Sequence, residues 1–242
     1  MMAYISSTEY QTLVALRTFL TAILPAGVAV IRAEQSRVPE PSGTDFVVMT
    51  PTHRERLSTN VASYEDTLFL GGISGTVLTV NSISSGTMGV GQPISGPGVV
   101  TGTVVTALGT GTGGVGTYAV LPSQSAPTAQ LLGGEYNVLQ PTQITFQLDI
   151  HGPSSADNAQ IISTLIRDTY ACQSMAATID AQPLFASEPR QAAFQNAEQQ
   201  FEYRWTMDVV IQANPVITVQ QDFADKLIVT PVEIDATYPP GA

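Results

Sequence analysis

Charge is what this sequence has least of. Charged residues make up 12% of the chain, about half the share found in ordinary globular proteins. Much of the shortfall falls in one place, because no Asp, Glu, Lys or Arg occurs between Thr67 and Gly134. Lysine occurs once, as Lys226, and cysteine once, as Cys172. A lone cysteine excludes an intrachain disulfide and fits synthesis in a reducing cytoplasm. Basic residues number 9 against 20 acidic ones, a net charge of −11. That balance excludes gripping nucleic acid over a broad surface, which Lys and Arg drive, but it lets DNA pass close by without adhering. Long hydrophobic runs are also missing. The longest near the N-terminus, "LVALRTFLTAIL", is too short to span a bilayer and contains Arg17. With no basic leader or cleavage site, the expectation is a soluble protein with no membrane partner.

What is present is enough to fold. Apolar residues make up 43% of 242, ample for one large domain or two small ones with real cores. Residues 6–24 read as a helix, with Ser6 and Glu9 at capping-box spacing and Pro25 to stop it. Tyr10, Leu13, Leu16, Leu20 and Ile23 mark its apolar face. "GVAVIRAEQ" and "DFVVMTP" read as strands flanking a turn-rich connection, "SRVPEPSGT". "TQITFQLDIHG" alternates, placing Ile144, Phe146, Leu148 and Ile150 on one face. "QQFEYRWTMDVVIQ" does the same with Phe201, Tyr203, Trp205, Met207, Val209 and Ile211. Such strict alternation predicts sheets with one covered and one wet face. Between them, a second helix is expected from a cap at Ser154, with Ile161, Leu165, Cys172, Met175 and Ile179 facing the core. The fold class expected is α+β, an antiparallel or mixed sheet with two main helices.

The uncharged window holds sixteen of the 20 glycines. Its runs "TVLTVNSI", "VVTGTVVTAL" and "GTYAVL" read as short strands separated by Gly, Pro and Ser, a small all-β module. "LGG" stands at both of its ends, Leu70–Gly72 and Leu132–Gly134. The domain expectation is therefore a core of residues 1–66 and 135–242, with 67–134 inserted.

Chemistry is harder to find. Gly109, Gly111 and Gly114 spell G-x-G-x-x-G, but a dinucleotide site needs a helix to open immediately afterwards, and "VGTYAVLPSQSAPTAQ" reads as a strand with prolines. A turn in the β-module is the better account. His53 and His151 have no zinc-binding spacing, so no metal or cofactor is expected. His151 with Asp149 and Ser154 or Ser155 imitates part of a hydrolytic triad, but the serines read as helix caps and no G-x-S-x-G elbow is present. Cys172 reads as core. No catalytic residue is assigned and no enzyme is expected. The densest basic spot is "HRER", where Arg54 and Arg56 are the candidate interface residues, suited to docking a partner's carboxylates.

The segments "RAEQSRVPEPSGTDFVVMTPTHRERLSTNV", "QPTQITFQLDIHGPSSADNAQIISTLIRDTYA" and "PLFASEPRQAAFQNAEQQFEYRWTMDVVIQANPVITVQQDFADKLIVTPVEID" resemble the neck and tail-terminator proteins of tailed bacteriophages. The window, with "GVGQPISGPGVVTGT" and "ALGTGTGGVGTYAV", resembles a separate β-module found in phage and surface proteins. The resemblance implies a structural virion subunit, made in the host cytoplasm and placed at the top of the tail. It implies a ring, commonly a hexamer, that ends tail tube or sheath polymerisation and joins the tail to the head–tail connector. DNA would pass through without specific binding. A second reading is a carbohydrate- or receptor-binding virion protein using the β insertion, whose uncharged Ser/Thr/Gly surface suits weak polar contacts.

Overall fold

The computed structural model describes residues 3–33, 44–192, 194–195 and 201–221. In chain order the elements are β1 (Ala3–Ile5), α1 (Glu9–Ile23), β2 (Ala29–Arg32), β3 (Phe46–Arg56), β4 (Val61–Ser85), β5 (Ile94–Ser95), β6 (Val104–Leu108) and β7 (Gly116–Leu139). There follow β8 (Thr142–His151), α2 (Ser155–Leu165), α3 (Thr169–Ala176), β9 (Ala181–Ala186), β10 (Arg190–Gln191), β11 (Phe194–Gln195), β12 (Phe201–Glu202), β13 (Arg204–Ala213) and β14 (Val216–Gln220). Most of the turn-rich connection "SRVPEPSGT" and the C-terminal "DFADKLIVTPVEID" lie outside the described residues.

This overturns the expected α+β class. The protein is mostly β, with 55% strand against 17% helix, three helices among the described residues and two multi-stranded sheets. Two departures account for the difference. First, the uncharged window, expected as a small module of short strands, is built largely from two long ones that extend beyond it. Strand conformation runs through β4 and β7, and each is folded back on itself. A straight β4 would put Asp66 and Ser85 roughly 60 Å apart, yet Ser85 Oγ donates to the Asp66 carbonyl at 3.2 Å. The reversal falls at Gly75, whose φ of +64° suits glycine. In β7, Leu121 pairs with Val104 and Gly133 with Ile94, while Ile94 N donates to Thr103 O at 2.8 Å. Second, the helix expected after Ser154 is two helices. The chain leaves α2 at Ile166, and Asp168 caps α3 by accepting from Tyr170 N at 2.9 Å.

By compactness the chain divides into a unit of Met1–Ser63 with Tyr136–Val219, and a unit of Tyr64–Glu135 joined by the stretch from Gln220. In the first unit the sheet order is β10-β13-β8-β3-β2, with β9 also on β13. It is mixed: β2 runs parallel to β3, and every other pair is antiparallel. The alternation in β8 places Ile144, Phe146, Leu148 and Ile150 in the core, opposite Met207, Val209 and Ile211 of β13. Each such side chain contributes about 1.5–3 kcal/mol by leaving water. Phe201 and Tyr203 depart from the expected face. They are exposed, because the long run breaks at Tyr203 and β12 turns aside to pair with β11.

The helices cover this sheet. α1 is capped two residues later than the sequence suggested. Its capping box is Thr8 with Gln11, where Gln11 N donates to Thr8 Oγ1 at 3.2 Å and Thr8 N to Gln11 Oε1 at 2.7 Å. Leu13, Leu16, Phe19 and Leu20 are buried, whereas Tyr10 is exposed. Ala159 and Ile162 of α2 and Ala171 and Met175 of α3 are buried against the sheet, whereas Cys172 lies at the margin and is half-buried. Ser154 Oγ makes no cap bond, and its backbone N–H donates to Asp45 Oδ1 at 2.8 Å instead.

In the second unit, Phe69, Leu78, Val80, Tyr118, Val120 and Leu131 form the core. Its divisions from the first unit fall inside β4 and β7. The glycines of the two "LGG" sequences serve close packing. A Cβ on Gly71 would lie 2.7 Å from Thr79 O, and one on Gly133 would lie 2.7 Å from the Gln92 side chain.

Candidate functional site

The strand that carries the "HRER" sequence has two regimes. From Phe46 to Met49, β3 is flanked by β2 and β8. Beyond Met49, its partner among the described residues is β8 alone, and residues 52–65 are exposed without a break. Pro51, which has no N–H to offer a ladder, sits at this transition beside a bulge at Thr52. The chain there is an exposed strand edge, with Arg54 opposite Ile144 and Arg56 opposite Thr142.

Both arginines have local partners. Arg54 Nη2 lies 3.5 Å from Glu9 Oε2, and the other oxygen of Glu9 lies 3.9 Å from Arg32 Nη2. Glu9 also stands in the first turn of α1, where a carboxylate complements the helix dipole. Arg56 Nη2 donates to Asn60 Oδ1 at 2.6 Å. The Gln140 amide, with its oxygen turned inward, accepts from Arg56 Nε at 2.8 Å. The two guanidinium groups are thus held in place on the exposed edge. Exposed pairs of this kind contribute about 0–1 kcal/mol each to folding, so their positioning matters more than their contribution to stability.

The residues that imitate a triad are engaged elsewhere. Asp149 accepts from Arg204 Nη2 at 2.7 Å and Nε at 3.1 Å, and from Gln147 as well. His151 stacks on Phe46 with centroids 4.6 Å apart and planes 5° from parallel. Its Nδ1 lies 3.9 Å from Glu202. Ser155 is buried at the start of α2. The acid of the supposed triad is therefore engaged by Arg204. His53 is exposed, 4.0 Å from Glu55. Among the described residues, no three His, Cys, Asp or Glu side chains gather as a metal ion would require, and no helix is long and apolar enough to cross a membrane.

Gly109, Gly111 and Gly114 form the turn between β6 and β7, and a strand follows them rather than a helix. The turn folds over Tyr118. A Cβ on Gly111 would lie 2.5 Å from the Tyr118 ring. Tyr118 Oη donates to Gly114 O at 2.6 Å and accepts from Gly113 N at 3.1 Å. This fully buried tyrosine is unavailable for stacking on a sugar. Sequence reasoning also missed a pair of carboxylates in this unit. Burial, and then the nearby charge of Glu65, push the Glu135 carboxyl above its ordinary range.

The pattern of the phage neck terminator protein family matches residues 86–236. The chain belongs to that family. The match covers more than half of the sequence and starts inside the uncharged window, so it takes in much of the second unit together with β8 to β14. The exposed edge of β3 precedes it. No individual curated protein matches the sequence. A terminator of this family is a structural protein of the virion neck, in contact with other head or tail proteins.

Proposed function

We propose that this protein assembles as a ring at the top of the tail, ends growth of the tube or sheath, and joins the tail to the head connector. Family membership is the observation that carries the reading. The fold is consistent with it: a broad sheet held by a continuous core gives a rigid subunit, and heterologous contacts between such subunits close into rings. A net charge of −11 repels DNA phosphates and lets the genome pass without adhering. Arg54 and Arg56 are the contact residues proposed, each able to hold a carboxylate of a neighbouring protein bidentately. We further propose that the region 67–134 acts as an inserted decoration unit of this subunit.

Native mass measurement of the full chain, alone and with purified tail tubes, tests the reading. A closed oligomer that binds tube ends is expected. A chain that stays monomeric at every concentration, with tubes present, would overturn it.

A further inference from the structure

Among the described residues, β2 and β9 each pair on one side only, and they lie at opposite sides of the same sheet. Edges of this kind are templates for pairing with another chain unless something covers them. Their flanks differ in character. Beside β2, a groove of about 160 Å³ opens against α1, lined by Tyr10, Leu13, Val14, Arg17, Val30 and Met49. Tyr10 is 66% exposed and Val14 38%. Arg17 and Arg32 line this groove, and Arg32 and Arg54 stand around Glu9. Among the described residues, three of the chain's nine basic residues are therefore gathered here, at the groove and around Glu9. At the other edge, β9 exposes Leu184 and Phe185 side by side, at 49% and 59%. A bulge opposite Val210 and Ile211 leaves Leu184 without a register partner. Asp180 precedes this strand and Glu188 follows it.

We propose that β9 of one copy of this chain docks beside β2 and α1 of the next copy, continuing the sheet across the subunit boundary. Strand directions allow it. β2 is parallel to β3, and three antiparallel steps, β3–β8, β8–β13 and β13–β9, leave β9 opposed to β2. Copies related by rotation about an axis along the strands keep that relation, so the junction is antiparallel, the more stable pairing. Charge favours the same occupant. The basic flank of α1 and β2 calls for an acidic partner, and a second copy of a chain with net charge −11 is one. The two edges are different surfaces, so the contact is heterologous, as a ring requires. The inference rests on the ring reading and names its seam.

The test uses the full chain in two double variants. Leu184→Lys with Phe185→Lys disables one edge, and Tyr10→Lys with Val14→Lys disables the other. All four positions are exposed, and unchanged far-UV dichroism checks that each variant folds. By sedimentation velocity, each variant alone should lose the ring and associate about tenfold more weakly or worse. Mixed in equal amounts, the two should form a dimer and stop there, because only one intact pair of edges remains. Variants that assemble as the unaltered chain does would overturn the seam while leaving the ring intact. An unaltered chain that never assembles would overturn both.

Discussion

Arg204 and Asp149 join adjacent strands diagonally: Arg204 stands opposite His151 and Asp149 opposite Thr206, yet two guanidinium nitrogens reach one carboxylate oxygen at 2.7 and 3.1 Å. The Asp149 side chain is 10% exposed, and Arg204 and Gln147 are the partners its oxygens meet there. Removing one member of a largely buried pair strands the other.

Arg204→Ala should therefore cost about 3 kcal/mol. Asp149→Asn in the same chain should recover part of it by removing the stranded charge. Urea unfolding of the four members of this cycle measures the coupling. A loss for Arg204→Ala that is unchanged by Asp149→Asn would show that the arginine acts through packing alone.

Much of the first unit was legible because alternation reports a difference between two faces. Ile144 to Ile150 of β8 are buried as read, and so are Met207, Val209 and Ile211 of β13. The same pattern misled at Phe201 and Tyr203, because period two tells which way a side chain points and not whether anything covers it. Ser6/Glu9 and Thr8/Gln11 both have capping spacing, and backbone geometry chose the second. Asp168 carried a cap signal that would have split the second helical run. The class was misjudged because folded-back strands such as β4 look, in sequence, like several short runs. The Arg204–Asp149 and Arg54–Glu9 pairs were hidden, since both depend on contacts between residues distant in sequence. No local spacing encodes them.

Burial and the Glu65 charge raise the Glu135 pKa above the ordinary value of 4.5. The folded state then holds a proton more firmly than the unfolded chain, so stability falls as pH rises from 4.5 through the raised value. Below 4.5 both states are protonated and the penalty vanishes. Glu135→Gln should raise the melting temperature at neutral pH, modestly because the site is partly solvated. The gain should shrink on acidification. A gain that is the same at every pH would point to packing instead.

The turn over Tyr118 makes a separate claim about the glycine motif. Gly111→Ala should destabilise the second unit by about 1–3 kcal/mol, because the added carbon meets a fully buried ring. Tyr118→Phe should cost about 1–2 kcal/mol by removing the hydroxyl that serves Gly113 N and Gly114 O. Thermal unfolding followed by calorimetry checks both. Equal stability in Gly111→Ala would mean that the turn moves aside freely and that its glycines are dispensable.

Arg54 and Arg56 bear on assembly. Their pairs with Glu9 and Asn60 lie at the surface, so reversing both charges should leave the subunit folded and lower its stability by no more than about 1–2 kcal/mol in total. Association is another matter. If a neighbour's carboxylates seat against these guanidinium groups, Arg54→Glu with Arg56→Glu replaces two attractions by two repulsions, at a cost of about 2–5 kcal/mol per desolvated contact. Arg54→Gln with Arg56→Gln removes the attraction without the repulsion and should weaken assembly less; because Arg54→Glu would also repel Glu9 within the subunit, the urea midpoint of each variant separates a loss of folding from a loss of contact. Sedimentation of the purified variants, and electron microscopy of particles from complemented phage, read the outcome as loss of oligomer and as separated heads and tails. Normal particles carrying the double reversal would return this edge to ordinary solvated surface, with β2 and β9 left as the seam to examine.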